Sequence, residues 1–433
     1  MIPLLEGPAG AVSVFALSYL GIILWKRQKT KLLWAGVLLA FLFGRNLMPL
    51  SELVHSINWN VMGIFAGTLV VAELFILSRV PELLADTFVN RSKSVGAALF
   101  AIAVMTSLLS AFIENVATVL IVAPIALVIS RKLKINPTIF MIGIAVSSNL
   151  QGTATLIGDP PSMILAAAMK MDFNDFFFMK GADGIVRPSI FFAVQFGALA
   201  SYGILWLFFR KHREKPDKVE PIQVSTWTPT WILTLMVLGL ALSGLFDPEF
   251  RYGAGVISML AAVGSVLWYR RRDPSETKAL LKRYDWDTTF FLAGVFVMVG
   301  IVERSGALES LAHYLSGVVG DSPMKAFLAI VWISVALSAV IDNVPYITAM
   351  IPVALGMSSV LGIDQNLLVF GLLMGSCLGG NITPVGASAN ITAMGILRRE
   401  GYHPGFGEFM KLGLPFTIVA TAAGTAFVWW IWS

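Results

Sequence analysis

The sequence predicts an all-α polytopic membrane protein: an inverted-topology repeat of five spans plus one re-entrant hairpin in each half, with discontinuous helices. Three observations predict it. Of 433 residues, 57% are hydrophobic and only 13% are charged, about half the ~25% charged share of a soluble domain. Apolar runs of membrane-spanning length recur along the whole chain. A polar pattern centred on "SAFIENVATVLIVAP" (Ser110–Pro124) returns 228 residues later as "SAVIDNVPYITAMIP" (Ser338–Pro352).

These observations exclude several classes. A mean hydropathy of +0.78 does not fit a soluble globule. The continuous runs are unlike the ~10-residue alternating strands of an outer-membrane barrel. A net charge of +5 would suggest nucleic acid in a soluble protein. Here the basic residues sit in short loops between apolar runs, so the bilayer is the expected partner and no nucleic acid is expected. The single cysteine, Cys377, excludes an internal disulfide and a cysteine-based metal site. The first apolar run begins near Ala11 without a preceding basic stretch, and reads as a span rather than a signal peptide.

Taken in order, spans are expected at about 10–25, 32–49 and 59–77. An interfacial amphipathic helix follows within Ser78–Ser94, where charged and apolar residues alternate. A re-entrant hairpin at about 96–130, a broken span at about 138–168 and a span at 190–209 complete a first half, 1–218. The second half, 219–433, holds spans at 228–247, 253–269 and 288–303. It continues with a hairpin at about 325–361, a broken span at about 366–396 and a last span at 413–431. The basic clusters Trp25–Lys31, Ser130–Lys134, Arg210–Lys218, Arg270–Asp273 and Arg398–Glu400 set the orientation. One threading keeps all five cytoplasmic. It leaves both termini outside and makes the two halves inverted, in what is expected to be a bacterial inner (plasma) membrane.

The repeat extends beyond the hairpins. "SNLQGTATLIGDPPS" (Ser148–Ser162) aligns with "SCLGGNITPVGASAN" (Ser376–Asn390), and "NWNVMGIFAG" (Asn58–Gly67) with "DWDTTFFLAG" (Asp285–Gly294). Matched Asn, Gly, Pro and Trp in one register separate this from the chance likeness of hydrophobic segments. Inverted repeats with broken helices meeting near the midplane are the architecture of secondary transporters.

Each half supplies two polar stretches as a candidate substrate or ion site. The hairpin tips give Glu114, Asn115, Asp342 and Asn343. The breaks give Asn149, Gly152, Thr153, Thr155, Gly158 and Asp159 in one half, and Gly380, Asn381, Thr383, Gly386, Ser388 and Asn390 in the other. A break frees backbone groups that in lipid must bind something or be buried. Glycine permits the close approach, and Thr, Ser and Asn offer neutral ligands. A carboxylate at membrane depth costs ~2.5–3.5 kcal/mol or more on insertion scales, and marks cation binding or proton carriage. The structural alternatives are an acid paired with a base or capping a helix, the latter for Asp159 before Pro160 and Pro161 in particular. His55, His212, His313 and His403 are scattered and form no metal-ligand pattern.

At "SAFIENVATVLIVAP", "GTATLIGDPPS" and "NITPVGASAN" the sequence resembles the ion transporter superfamily, in the branch of arsenite permeases, sodium/proton antiporters of the NhaD type and the melanosomal P protein. The resemblance implies a scaffold domain, a mobile domain with two hairpins and an elevator movement. The related sodium-coupled dicarboxylate symporters carry Ser-Asn-Thr at the hairpin tips. Here the tips read Glu114-Asn115-Val116 and Asp342-Asn343-Val344. The added negative charge disfavours a dianion and favours a cation or proton.

The expected function is therefore secondary active transport of an inorganic ion or small anion, coupled to sodium or protons. Asn115 and Asn343 are expected sodium ligands. A sodium/proton antiporter, an arsenite-type permease and a sodium-coupled di- or tricarboxylate symporter are alternatives. No cofactor is expected, and no nucleotide-binding motif occurs in the chain, so ATP drive would need a separate ATPase subunit. A homodimer is a candidate assembly. An intramembrane aspartyl protease lacks its G-x-G-D context, since Leu156 stands where the first Gly belongs. A channel would share the broken helices, but not saturable, gradient-coupled uptake.

Overall fold

A computed structural model describes residues 8–25, 28–43, 49–132, 135–216, 220 and 222–433. Helices α1 (Pro8–Leu24) and α2 (Lys29–Phe43) open the chain, followed by the short α3 (Leu50–His55). Next come α4 (Trp59–Leu77), α5 (Val80–Arg91), α6 (Val95–Ser110), α7 (Asn115–Lys132), α8 (Thr138–Gly152) and α9 (Pro160–Met169). A β-hairpin, β1 (Phe178–Lys180) and β2 (Val186–Pro188), is antiparallel with Met179 opposite Arg187. Then α10 (Ile190–Phe209) closes the first half.

The second half repeats this order. It runs through α11 (Thr228–Ser243), α12 (Gly253–Arg272), α13 (Pro274–Arg283), α14 (Trp286–Arg304) and α15 (Ala307–Val319). It continues with α16 (Pro323–Ser338), α17 (Asn343–Leu361), α18 (Gln365–Gly379), α19 (Ser388–Arg399) and α20 (Phe406–Trp432). Packing repeats as well: α4 lies on α12 as α2 lies on α14, and α7 touches α19 as α17 touches α9.

Local chemistry sets the boundaries. Asn58 caps α4 by accepting from the Val61 N–H at 3.0 Å, and Asp285 caps α14 by accepting from the Thr288 N–H at 2.9 Å. Small residues allow the helices to approach closely. A Cβ added to Gly63 would lie 3.0 Å from Gly255 Cα, where α4 crosses α12.

Seven helices among the described residues are long and apolar enough to cross a membrane: α4, α10, α12, α14, α17, α18 with its 3-10 extension, and α20. The expected spans α1, α2 and α11 are shorter, at 17, 15 and 16 residues. At 1.5 Å per residue each falls short of a ~30 Å hydrocarbon core. Beyond Phe43, the part of the expected span at 44–48 lies outside the described residues. The helix α15, which no span or interfacial reading covered, is the counterpart of α5. The β-hairpin was likewise not expected. Parts of the basic clusters used for orientation (26–27, 133–134 and 217–218), the half boundary at 218/219 and the first seven residues lie outside the described residues.

Candidate functional site

The polar repeat closes around a cavity of about 420 Å³, and both hairpin tips reach it. Glu114 Oε2 accepts hydrogen bonds from the backbone N–H of Val116 (2.8 Å) and Ala117 (3.1 Å). Asp342 Oδ1 accepts from the N–H of Val344 at 3.1 Å. Each acid thus caps the first turn of the helix it precedes, α7 or α17. Capping satisfies donors that the helix leaves free and places negative charge at the positive end of the helix dipole. These two helix N-termini therefore already hold an acid.

The asparagine beside each acid is held in the same way. The Ser110 hydroxyl donates to Asn115 Oδ1 at 2.7 Å, and the Ser338 hydroxyl donates to Asn343 Oδ1 at 2.5 Å. The breaks are tied to the ends of the preceding hairpin arms. The Thr155 hydroxyl donates to the Ala111 carbonyl, and Thr383 donates to the Ala339 carbonyl. Glycine is required at Gly158 and Gly386 by close approach. A Cβ on either would lie 2.9 Å from the Cα of Gly152 or Gly380, respectively.

Symmetry fails at Asp159. It caps α9 through Oδ1, which accepts from the Ser162 N–H at 3.0 Å and the Ser162 hydroxyl at 2.6 Å. Its Oδ2 is buried. Ala387 occupies the matching place, and α19 begins without a side-chain cap. Asn390, at the position of Ser162, donates instead to the carbonyls of Gly380 and Thr383, both at 2.9 Å.

Of the expected site residues, Glu114, Asn115, Asn149, Asp159, Asp342, Asn343, Gly386 and Ser388 line the cavity. Gly152, Thr153, Thr155, Gly158, Gly380, Asn381, Thr383 and Asn390 are buried in the framework behind it.

Sequence reasoning missed Tyr19, Lys29, Asp285, Asp287 and Thr288, which also line it. The two aspartates were visible in the comparison of "DWD" with "NWN", as acids where the first half has asparagines. Lys29 sits in a basic cluster read only as a loop. Its Nζ lies 3.8 Å from Asp342 Oδ2 and 4.5 Å above the centre of the Phe291 ring. The described lining thus carries five carboxylates (Glu114, Asp159, Asp285, Asp287 and Asp342) and a single lysine. No cluster of three or more His, Cys, Asp or Glu suited to a metal ion occurs among the described residues. A second cavity, about 930 Å³, lies at the other end of α14, lined by Glu52, His55, Glu303 and Arg304.

The profile of the family described as "Citrate transporter" (CitMHS) matches residues 19–375. An uncharacterized transporter of Mycobacterium tuberculosis is 27% identical over 433 residues, covering 97% of each chain. The P protein of Mus musculus is 23% identical, covering 97% of this chain and 60% of its own. Among solved structures, the YdaH transporter of Alcanivorax borkumensis matches with a TM-score of 0.58 at 17% identity, over 87% of this chain and 86% of that one. MtrF of Neisseria gonorrhoeae matches with a TM-score of 0.53 at 15% identity, over 88% and 83%. These two share the fold.

Proposed function

The chain belongs to the citrate transporter family, and on that premise we propose that this multi-pass membrane transporter is a secondary carrier driven by a sodium or proton gradient. It moves an inorganic ion or small anion across a bacterial inner membrane. The observation that carries this reading is the charge of the cavity: five carboxylates face one lysine, and acids cap the N-termini of α7, α9 and α17, leaving only that of α19 among these four without a side-chain cap. In a site partly shielded from water a bare anion is repelled and a cation or proton is held. An anionic substrate would therefore enter together with a cation. The same charge favours a sodium/proton antiporter as the second reading.

Glu114 and Asp342 are the coupling carboxylates in this reading, with Asn115 and Asn343 as neutral sodium ligands. Lys29 and Asp285 lie close in sequence to clusters assigned to the cytoplasm, so the smaller cavity opens inward and the one beside Glu52 opens outward. Two cavities at opposite ends of α14 suit alternating access, and the repeated halves suit an elevator exchange between them.

The test uses the full chain in proteoliposomes with an imposed pH gradient and a pH-sensitive dye. Addition of sodium, citrate, arsenite or phosphate is expected to dissipate the gradient in at least one case. Glu114→Gln and Asp342→Asn should each slow that response by roughly tenfold or more. Full rates in both variants would remove these carboxylates from coupling.

A further inference from the structure

The two hairpin tips are alike in sequence but not in company. Among the described residues Asp342 pairs with Lys29, while Glu114 forms no ion pair. Lys29 belongs to a different element from the tip it touches. Its helix is fastened to α14, where the Thr30 hydroxyl donates to the Asp287 carbonyl at 3.2 Å and the Trp34 indole donates to the Phe290 carbonyl at 3.0 Å. The ammonium reaches from there over the Phe291 face to Asp342. Tyr19 lines the same cavity, and its hydroxyl is buried and without a hydrogen-bond partner among the described residues. Asn343 stands next to Asp342 in the lining. A carboxylate, an unpartnered hydroxyl, an amide and an aromatic face thus line one cavity, and groups of these kinds can hold a monovalent cation.

We propose that Lys29 is a tethered cation occupying the seat at Asp342, so that the second tip binds a free monovalent cation only when Lys29 is displaced. The 3.8 Å separation is long for an ion pair, and both partners are partly exposed, at 19% and 28%. Such a pair is weak, so a competing ion can displace it. Lys29 cannot travel with the tip, being anchored through α2 to α14. Whether the second tip holds a free ion is therefore decided by competition with this one side chain. Lysine suits the task as a compact point charge on a flexible stem. This deepens the cation-coupled reading above and rests on it only for the role given to Glu114.

The test is equilibrium binding of radioactive sodium to the purified full chain, comparing wild type with Lys29→Gln, Lys29→Arg and Lys29→Gln/Asp342→Asn. Lys29→Gln should fill the seat at Asp342 at a sodium concentration about tenfold lower than wild type, because the seat loses its resident charge. Lys29→Arg should match wild type, and the double variant should lose the gain. Unchanged sodium binding in Lys29→Gln overturns the proposal, as does a gain that survives in the double variant. Loss of citrate binding with unchanged sodium binding would assign Lys29 to a substrate anion and also overturn it. A wild type that binds no sodium would count against sodium coupling at Glu114, yet a gain in Lys29→Gln would still support the tethered cation.

Discussion

The Asn149 amide donates a 2.8 Å hydrogen bond to the carbonyl of Cys377, the residue that holds the place of Asn149 in the other half. The same amide reaches Asn381 Oδ1 at 3.1 Å, and Asn381 in turn donates to the Val146 carbonyl at 3.2 Å. The halves are thus joined at their breaks by amides that read each other's backbone. Asn149→Ala removes both hydrogen bonds to Cys377 and Asn381, which are fully buried. A loss of about 1–2 kcal/mol is expected, read as a lower unfolding temperature in detergent.

Charge and capping can be separated at the hairpin tips. A Gln at Glu114 or an Asn at Asp342 still offers an oxygen to the backbone donors of Val116 and Val344. These variants should melt near the wild-type temperature while losing gradient-driven flux. Glu114→Ala removes the cap as well, and should cost roughly 1 kcal/mol in addition. Equal melting of all three would mean that the caps carry no stability.

Gly379 closes α18 immediately before the second break. A Cβ there would lie 2.7 Å from Val335 Cα on α16, a backbone atom that cannot turn aside. Gly379→Ala should force α16 and α18 apart and lower the yield of folded protein by size-exclusion chromatography. Gly395→Ala, on α19 with open space around it, is the matched control.

Outside the membrane-spanning helices, burial pushes the Asp175 carboxyl up to about 6, opposed by the Asp172 N–H that donates to it. The ordinary value is 3.8. Between the two the folded protein holds more protons than the unfolded chain, so stability is full below pH 3.8 and falls as pH rises through 6. Asp175→Asn keeps an oxygen for the Asp172 N–H and removes the charge. It should raise the unfolding temperature at pH 7.5 and leave it unchanged at pH 4. The gain is of order 1 kcal/mol after solvent screening.

Several features were legible in the chain itself. Hydrophobic run length gave the membrane class, and the register of Glu114-Asn115 with Asp342-Asn343 placed both tips and both breaks. These signals are local or periodic. α15 was not assigned, although the repeat offset from α5 pointed to it, because its charged and apolar residues form no span. The β-hairpin, three residues per strand, carries too little pattern to be read from sequence.

What the sequence determined by itself is the set of long apolar helices and the paired polar stretches, since apolar run length, breaks and repeated register follow from residue order. The tertiary structure alone decided the company those residues keep. It brought Lys29 and Asp285, distant in sequence, to the same cavity as the tips. It turned the hydroxyls of Thr155 and Thr383 toward backbone carbonyls in the framework. It left Asp342 beside an ammonium and Glu114, among the described residues, without one. A contact between residues hundreds of positions apart depends on how helices cross, and no local pattern encodes that crossing.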